Sequence, residues 1–241
     1  MNPRHDGRAA EQMRPIRFER NFTNQAPGSV LASFGETRVL CTASWQDKVP
    51  PFLHGKGKGW LTAEYSMLPS STNSRKPRDR GGKVDGRSVE IQRLIGRSLR
   101  AVIDFGKMTE RTIWVDCDVL QADGGTRTVS ISGAYVALFD CLKEMDKRRI
   151  LRDWPLMSNL GAVSVGVIEG MPVCDLDYPE DSKADVDMNL VMTGEGEFVE
   201  LQGSAEGATF GRQALDRMLE MGEAGIRQIF AAQREVLGID E

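Results

Sequence analysis

The stretch Asp123-Gly124-Gly125-Thr126-Arg127-Thr128-Val129-Ser130 joins a strand-like run, Thr112 to Leu120, to an apolar-periodic segment that predicts a helix from near Ser130. Two adjacent glycines, the hydroxyls of Thr126 and Thr128, and the Arg127 guanidinium are what an oxyanion needs at a strand-to-helix turn. Glycine lets backbone N–H groups turn inward, a helix start carries partial positive charge, and arginine presents a planar fork matched to phosphate. The stretch reads as a phosphate seat, while a Gly-Gly turn with a capping threonine is, taken alone, more often plain turn chemistry. It has neither the Lys-Ser/Thr ending of a P-loop nor the third glycine of a dinucleotide fingerprint, so neither nucleotide motif applies.

Upstream, Gly86 to Asp104 predicts a helix, because Ile91, Leu94, Ile95, Leu99 and Val102 recur on one face with Arg93, Arg97 and Arg100 on the other. Arg87 stands at its start, where the macrodipole prefers an anion, and this points to an anion shared with that arginine. The segment before it, residues 69–85, is rich in Ser, Pro, Gly and cations, among them Arg75, Lys76, Arg78, Arg80 and Lys83. It reads as an arm for a nucleic-acid backbone, salt-sensitive and without base specificity of its own. Earlier still, Ser29 to Phe34 and Arg38 to Trp45 flank a Gly35 turn as a β-hairpin, and Trp60 to Leu68 forms a further strand. Residues 1–13 read as polar and mobile. Asp116 and Asp118 alternate with apolar neighbours, which fits either a catalytic pair or an exposed strand face.

Downstream, Trp154-Pro155 marks the best boundary between two halves, about 14–152 and 153–241, within one domain. The second half repeats the order of the first: strands near Ala162 to Glu169, Met171 to Leu176, Ala184 to Met192 and Glu197 to Gln202, then a helix from about Gly211 to Leu237. Two β-then-α halves predict an α+β sandwich with a hint of duplication. The run from Cys174 to Asn189 is dense in carboxylates, which suits Mg²⁺ (or Mn²⁺) or else a plain acidic surface loop.

Charge follows the same division. From Lys48 to Arg100 there are twelve Lys/Arg against four Asp/Glu, and from Met171 to Glu200 nine Asp/Glu against one Lys. The net charge of −4 argues against indiscriminate nucleic-acid binding, but a basic half can hold a polyanion while an acidic cluster holds a cation. Cys41, Cys117, Cys141 and Cys174 are widely spaced in apolar segments, which predicts buried thiols rather than zinc or disulfides. No apolar run is long enough to cross a bilayer, and the expected location is the cytoplasm with no membrane partner.

Four segments carry a resemblance. Gly86-Arg-Ser-Val-Glu-Ile-Gln-Arg-Leu-Ile-Gly-Arg-Ser-Leu-Arg100, Gln121-Ala-Asp-Gly-Gly-Thr-Arg-Thr128, Glu180-Asp-Ser-Lys-Ala-Asp-Val-Asp-Met-Asn189 and Gln202-Gly-Ser-Ala-Glu206 closely resemble, in colinear order, the bacterial ribonuclease PH family. The resemblance runs from about Arg14 to Leu237. It implies a phosphorolytic 3′-to-5′ exoribonuclease that trims tRNA precursors and other RNA with single-stranded 3′ ends. Inorganic phosphate would be the co-substrate, nucleoside diphosphates the reversible product, and a homohexamer built as a trimer of dimers the assembly. Residue by residue, it implies phosphate binding by Arg87, Gly125, Thr126 and Arg127, and catalysis and metal binding by Asp181 and Asp187. Asp185 receives no role. RNA contact is implied for the arm residues Arg75, Lys76, Arg78 and Arg80, with Arg93 and Arg97 as further candidates. Ser204 stands where the family pattern has Thr, and keeps the hydroxyl. The competing readings are a hydrolytic two-metal nuclease, and a non-catalytic RNA-binding ring subunit in which the seat or the acids would be degraded.

Overall fold

The strand Thr112–Gln121 delivers the chain into a helix that begins at Thr126, earlier than the apolar periodicity places it, in a computed structural model describing residues 4–78, 85–206 and 209–239. The first turn of that helix is polar, so hydrophobic spacing does not register it. Gly124 and Gly125 both lie in the left-handed region, at φ 75° and 65°, which frees the turn to enter the helix directly.

In chain order the elements are β1 (Ile16–Arg20), β2 (Gly28–Phe34), β3 (Thr37–Gln46), a 3₁₀ turn (Pro51–Leu53), β4 (Trp60–Met67), α1 (Gly86–Arg100), β5 (Thr112–Gln121) and α2 (Thr126–Lys147). There follow β6 (Leu160–Ile168), β7 (Met171–Cys174), α3 (Tyr178–Asp181), β8 (Val186–Thr193), β9 (Phe198–Ala205) and α4 (Arg212–Leu237). The first sheet has the order β1-β2-β3-β5-β4 and the second β7-β6-β8-β9, an α+β architecture as the sequence predicts. The second sheet is antiparallel throughout, whereas β4 and β5 run parallel, joined through α1. The two halves therefore share an order of sheet then long helix, without sharing strand directions.

Nearly every residue of α2 from Thr128 to Leu142 is buried, because the helix packs against both sheets. Such burial on all sides is why its sequence shows little amphipathic contrast. Small residues set the close approaches: a Cβ on Gly133 would stand 2.6 Å from Ala32 Cβ, and one on Gly222 of α4 2.6 Å from Leu190 Cδ2. β6 alternates toward the two helices. Its Gly161 faces Ile226 and Phe230 of α4, and the backbone of Ala162 receives and returns hydrogen bonds with Ser132 Oγ of α2. The four cysteines are free and buried. No helix among the described residues is long and apolar enough to cross a membrane.

Two expectations fail here. α1 ends at Arg100 rather than Asp104; Val102 and Ile103 remain buried, but Ile103 leaves the helix to bridge Leu156. More consequentially, the segment read as mobile is anchored in its described part, from Arg4 onward. Arg4 is 3% exposed, and its Nε and Nη2 grip both oxygens of Glu180 at 2.8 and 2.7 Å. Arg8 reaches Asp177 and Glu180, and Arg14 binds Asp175 through Nε at 2.9 Å and Nη2 at 2.7 Å. Polar composition resembled a loose tail because charge pairing across the chain is invisible in local sequence.

Candidate active site

The seat is built where the end of β5, the start of α2 and the turn holding α3 meet. Thr37 on β3 fastens the loop: its hydroxyl donates to the Gly124 carbonyl at 2.7 Å and accepts from the Asp123 N–H at 2.9 Å. Gly124 has no room for a side chain, since a Cβ would lie 2.6 Å from the Asp177 carbonyl carbon. That contact clamps the turn carrying Asp181 against the phosphate loop. Gly125 is the N-cap of α2, and its carbonyl accepts from the Thr128 and Val129 N–H groups and from Thr128 Oγ1. The N–H groups of Gly125, Thr126 and Arg127 meet no acceptor among the described residues, which leaves three backbone donors at a helix start.

A cavity of about 380 Å³ opens above them, lined by Met67, Asn73, Arg87, Gly125, Thr126 and Asp181, with Gly124 and Tyr178 also on its wall. Thr72 and Ser74, at the root of the basic arm, line it as well, so the arm leads into the seat. Arg87 lies in the first turn of α1, which Asp85 caps by accepting from the Arg87 N–H; its guanidinium is exposed and makes no ion pair among the described residues. Arg127 and Asp187 stand beside this cavity rather than on its lining.

The two aspartates have a common environment. Asp181 closes α3, and Asp187 sits on β8 opposite Gly166 and Ser204, where Gly166 leaves no space for a Cβ, 2.4 Å from the Val186 carbonyl oxygen. Neither carboxylate accepts a hydrogen bond among the described residues. Burial pushes the Asp181 carboxyl up against the opposing charges of Arg87, Arg127 and Arg14. Burial, reinforced by the Asp181 charge, pushes Asp187 up to about 6, again opposed by Arg127 and Arg87. The arginines of the seat and both carboxylates therefore share one electrostatic field. Two hard-oxygen donors without a partner among the described residues, Asp187 partly buried and Asp181 at the exposed end of α3, fit a divalent cation. Among the described residues the group of three metal-capable side chains is instead His5, Asp177 and Glu180, but Arg4 and Arg8 already neutralise Glu180 and Asp177 caps α3.

Three residues of this site were not singled out from sequence. Tyr65, buried on β4, donates to Thr126 Oγ1 at 2.9 Å. Arg127 Nη1 donates to Glu90 Oε1 at 3.2 Å and to Gln202 Oε1 at 2.7 Å, and Gln202 Nε2 donates to Glu90 Oε1 at 3.0 Å. Glu90 and Gln202 fall inside quoted motifs, yet nothing local couples α1 to β9. Tyr65 reads as an inward strand residue and nothing more.

The remaining sites separate. Asp116 and Asp118 are partly buried and line a different trough with Glu64 and Gln92, where burial and the Glu64 charge raise both carboxyls. Arg75 and Arg78 are exposed, while Lys76 pairs with Asp85 at 2.7 Å and pins the arm to the start of α1. Arg93 is exposed; Arg97 is held by both oxygens of Glu200, at 3.0 and 2.9 Å. Arg80 lies outside the described residues.

Residues 12–144 match the family model for the 3′ exoribonuclease family, domain 1, and residues 159–225 match domain 2. A protein of Syntrophomonas wolfei named Ribonuclease PH is 54% identical over 237 residues, covering 98% of this chain and 99% of the relative. Among solved structures, the Archaeoglobus fulgidus exosome with RNA bound to the active site aligns with TM-score 0.79 at 21% identity, over 95% of this chain and 91% of that one. Rice Rrp46 aligns with TM-score 0.79 at 20% identity, over 98% and 100%. At such identities these structures speak for the fold alone.

Proposed function

The chain belongs to the 3′ exoribonuclease family and is a phosphorolytic 3′-to-5′ exoribonuclease, and from that premise we propose how its residues divide the work. Inorganic phosphate sits on the N–H groups of Gly125, Thr126 and Arg127, flanked by the guanidinium groups of Arg87 and Arg127. The observation that carries this reading is the set of three backbone donors at a helix start, without an acceptor among the described residues, next to a cavity that Gly125, Thr126 and Arg87 line. Seated there, a phosphate oxygen attacks the last phosphodiester of the RNA in line. The bond from phosphorus to the 3′ oxygen of the penultimate nucleotide breaks, a nucleoside 5′-diphosphate departs, and the proton of the attacking phosphate ends on the freed 3′ hydroxyl. Asp187 assists the proton transfer along that route. Asp181 and Asp187 would hold Mg²⁺ or Mn²⁺, which supplies charge neutralisation at the reacting phosphates. Because a phosphoester and a phosphoanhydride exchange, the step runs in both directions.

The arm with Arg75, Lys76, Arg78 and Arg80 binds the RNA backbone ahead of the seat, with Arg93 contributing from α1. The substrates proposed are tRNA precursors and other RNA with single-stranded 3′ ends, acted on in the cytoplasm by a homohexamer arranged as a trimer of dimers. The relative named Ribonuclease PH supports the ribonuclease part of this assignment. The test is product analysis of a short RNA with a single-stranded 3′ end, incubated with Mg²⁺ with and without inorganic phosphate. Nucleoside diphosphates formed only with phosphate are expected; monophosphates in either condition would mean hydrolysis and overturn the seat.

A further inference from the structure

Arg127 has five N–H donors, and the structure shows how two of them are spent. Nη1 carries two hydrogens and meets two acceptors, Glu90 Oε1 at 3.2 Å and Gln202 Oε1 at 2.7 Å. Gln202 in turn donates from Nε2 to the same Glu90 oxygen at 3.0 Å, which closes a three-membered ring and fixes the amide orientation. Nε and Nη2 make no hydrogen bond to any described residue. The edge left open is the side-on fork that binds two oxygens of a phosphate at once. The ring draws on α1, α2 and β9, so it ties the second sheet to the phosphate loop of the first half.

Glu90 is a carboxylate beside a site for a dianion, where bare electrostatics would oppose it. It is half-exposed, at 48%, whereas Arg127 is 15% exposed, so the more exposed group immobilises the less exposed one. We infer that Glu90 and Gln202 are positioning residues that saturate Arg127 Nη1 and thereby present its Nε/Nη2 edge to inorganic phosphate. This rests on the phosphate-seat reading above. It assigns the two residues a geometric role: what matters is an acceptor oxygen at position 90, not its charge.

The experiment is steady-state phosphorolysis with phosphate varied at saturating RNA, on the full chain with Mg²⁺, for Glu90→Ala, Glu90→Gln, Gln202→Ala and Arg127→Ala. Thermal unfolding of each variant accompanies the kinetics. Glu90→Ala and Gln202→Ala should each raise the KM for phosphate about tenfold, the scale of one lost hydrogen bond to a charged group, with kcat and the KM for RNA within about twofold of the parent. Glu90→Gln should restore the phosphate KM to within about twofold, since its amide oxygen accepts both N–H groups. A phosphate KM unchanged or lowered in Glu90→Ala, with Arg127→Ala still raising it, overturns the positioning role and leaves the seat standing. Glu90→Gln as impaired as Glu90→Ala overturns it too, because charge would then be the operative property. An Arg127→Ala enzyme with an ordinary phosphate KM removes the seat itself. Should Glu90→Ala fail to fold, Gln202→Ala and Glu90→Gln decide the matter alone.

Discussion

The phenol of Tyr65, 4% exposed, donates to the hydroxyl of Thr126 at 2.9 Å. Burial raises the phenol's pKa, so the group stays a donor at neutral pH and occupies a lone pair of Thr126 Oγ1. The Thr126 proton is then free for an acceptor in the cavity. Tyr65→Phe should keep the packing and raise the phosphate KM by roughly three- to tenfold. Phosphate titration of the variant checks it, and an unchanged KM would disconnect Tyr65 from the seat.

Asp187 places function against stability. Its folded carboxyl titrates near 6, above its ordinary value of 3.8, so the folded protein holds the proton more tightly than the unfolded chain. The stabilising contribution is therefore full below about 4 and is lost as pH rises through about 6. In EDTA, the melting temperature of the parent should fall across that window by more than that of Asp187→Asn. At pH 7.5 Asp187→Asn should melt a few degrees higher and be inactive. Parallel melting curves against pH would show that Asp187 is not strained in its ionised form.

Gly124 is constrained twice, by φ 75° and by a Cβ position 2.6 Å from the Asp177 carbonyl carbon. Gly124→Ala should destabilise by about 2 kcal/mol or more through backbone strain and displacement of the turn. Because that turn carries Asp181, kcat should fall further than the folded fraction does. Denaturant unfolding beside kinetics separates the two, and equal losses would remove the link to Asp181.

Arg4 and Glu180 form a buried bidentate pair, with side-chain exposures of 0% and 4%. Arg4→Met strands part of the Glu180 charge and should cost about 3–5 kcal/mol, while adding Glu180→Leu should return much of it. Denaturant midpoints of the single and double variants measure the coupling, and additive losses would contradict a paired charge.

RNA affinity should track the arm rather than the seat. Arg75→Ala with Arg78→Ala should weaken binding of single-stranded RNA and flatten its salt dependence, whereas Arg127→Ala should leave both nearly unchanged. Filter binding over a salt series tests it, and equal weakening by Arg127→Ala would merge the two roles.

The sequence by itself determined the α+β class, the strand and helix order, the family and the Gly125-Thr126-Arg127 turn. Each of these rests on local periodicity, turn chemistry or a contiguous motif, which a chain displays without folding. Only the tertiary structure decided which carboxylates are free. Along the acidic run Asp175, Asp177, Glu180, Asp181 and Asp187 look alike, but Arg4, Arg8 and Arg14 arrive from the far end of the chain and neutralise the first three. Asp181, Asp185 and Asp187 have no side-chain partner among the described residues, and of these Asp181 and Asp187 lie in the field of Arg87 and Arg127. The closed ring of Arg127, Glu90 and Gln202 was hidden for the same reason, as charge and hydrogen-bond pairing act through space and carry no period along the sequence.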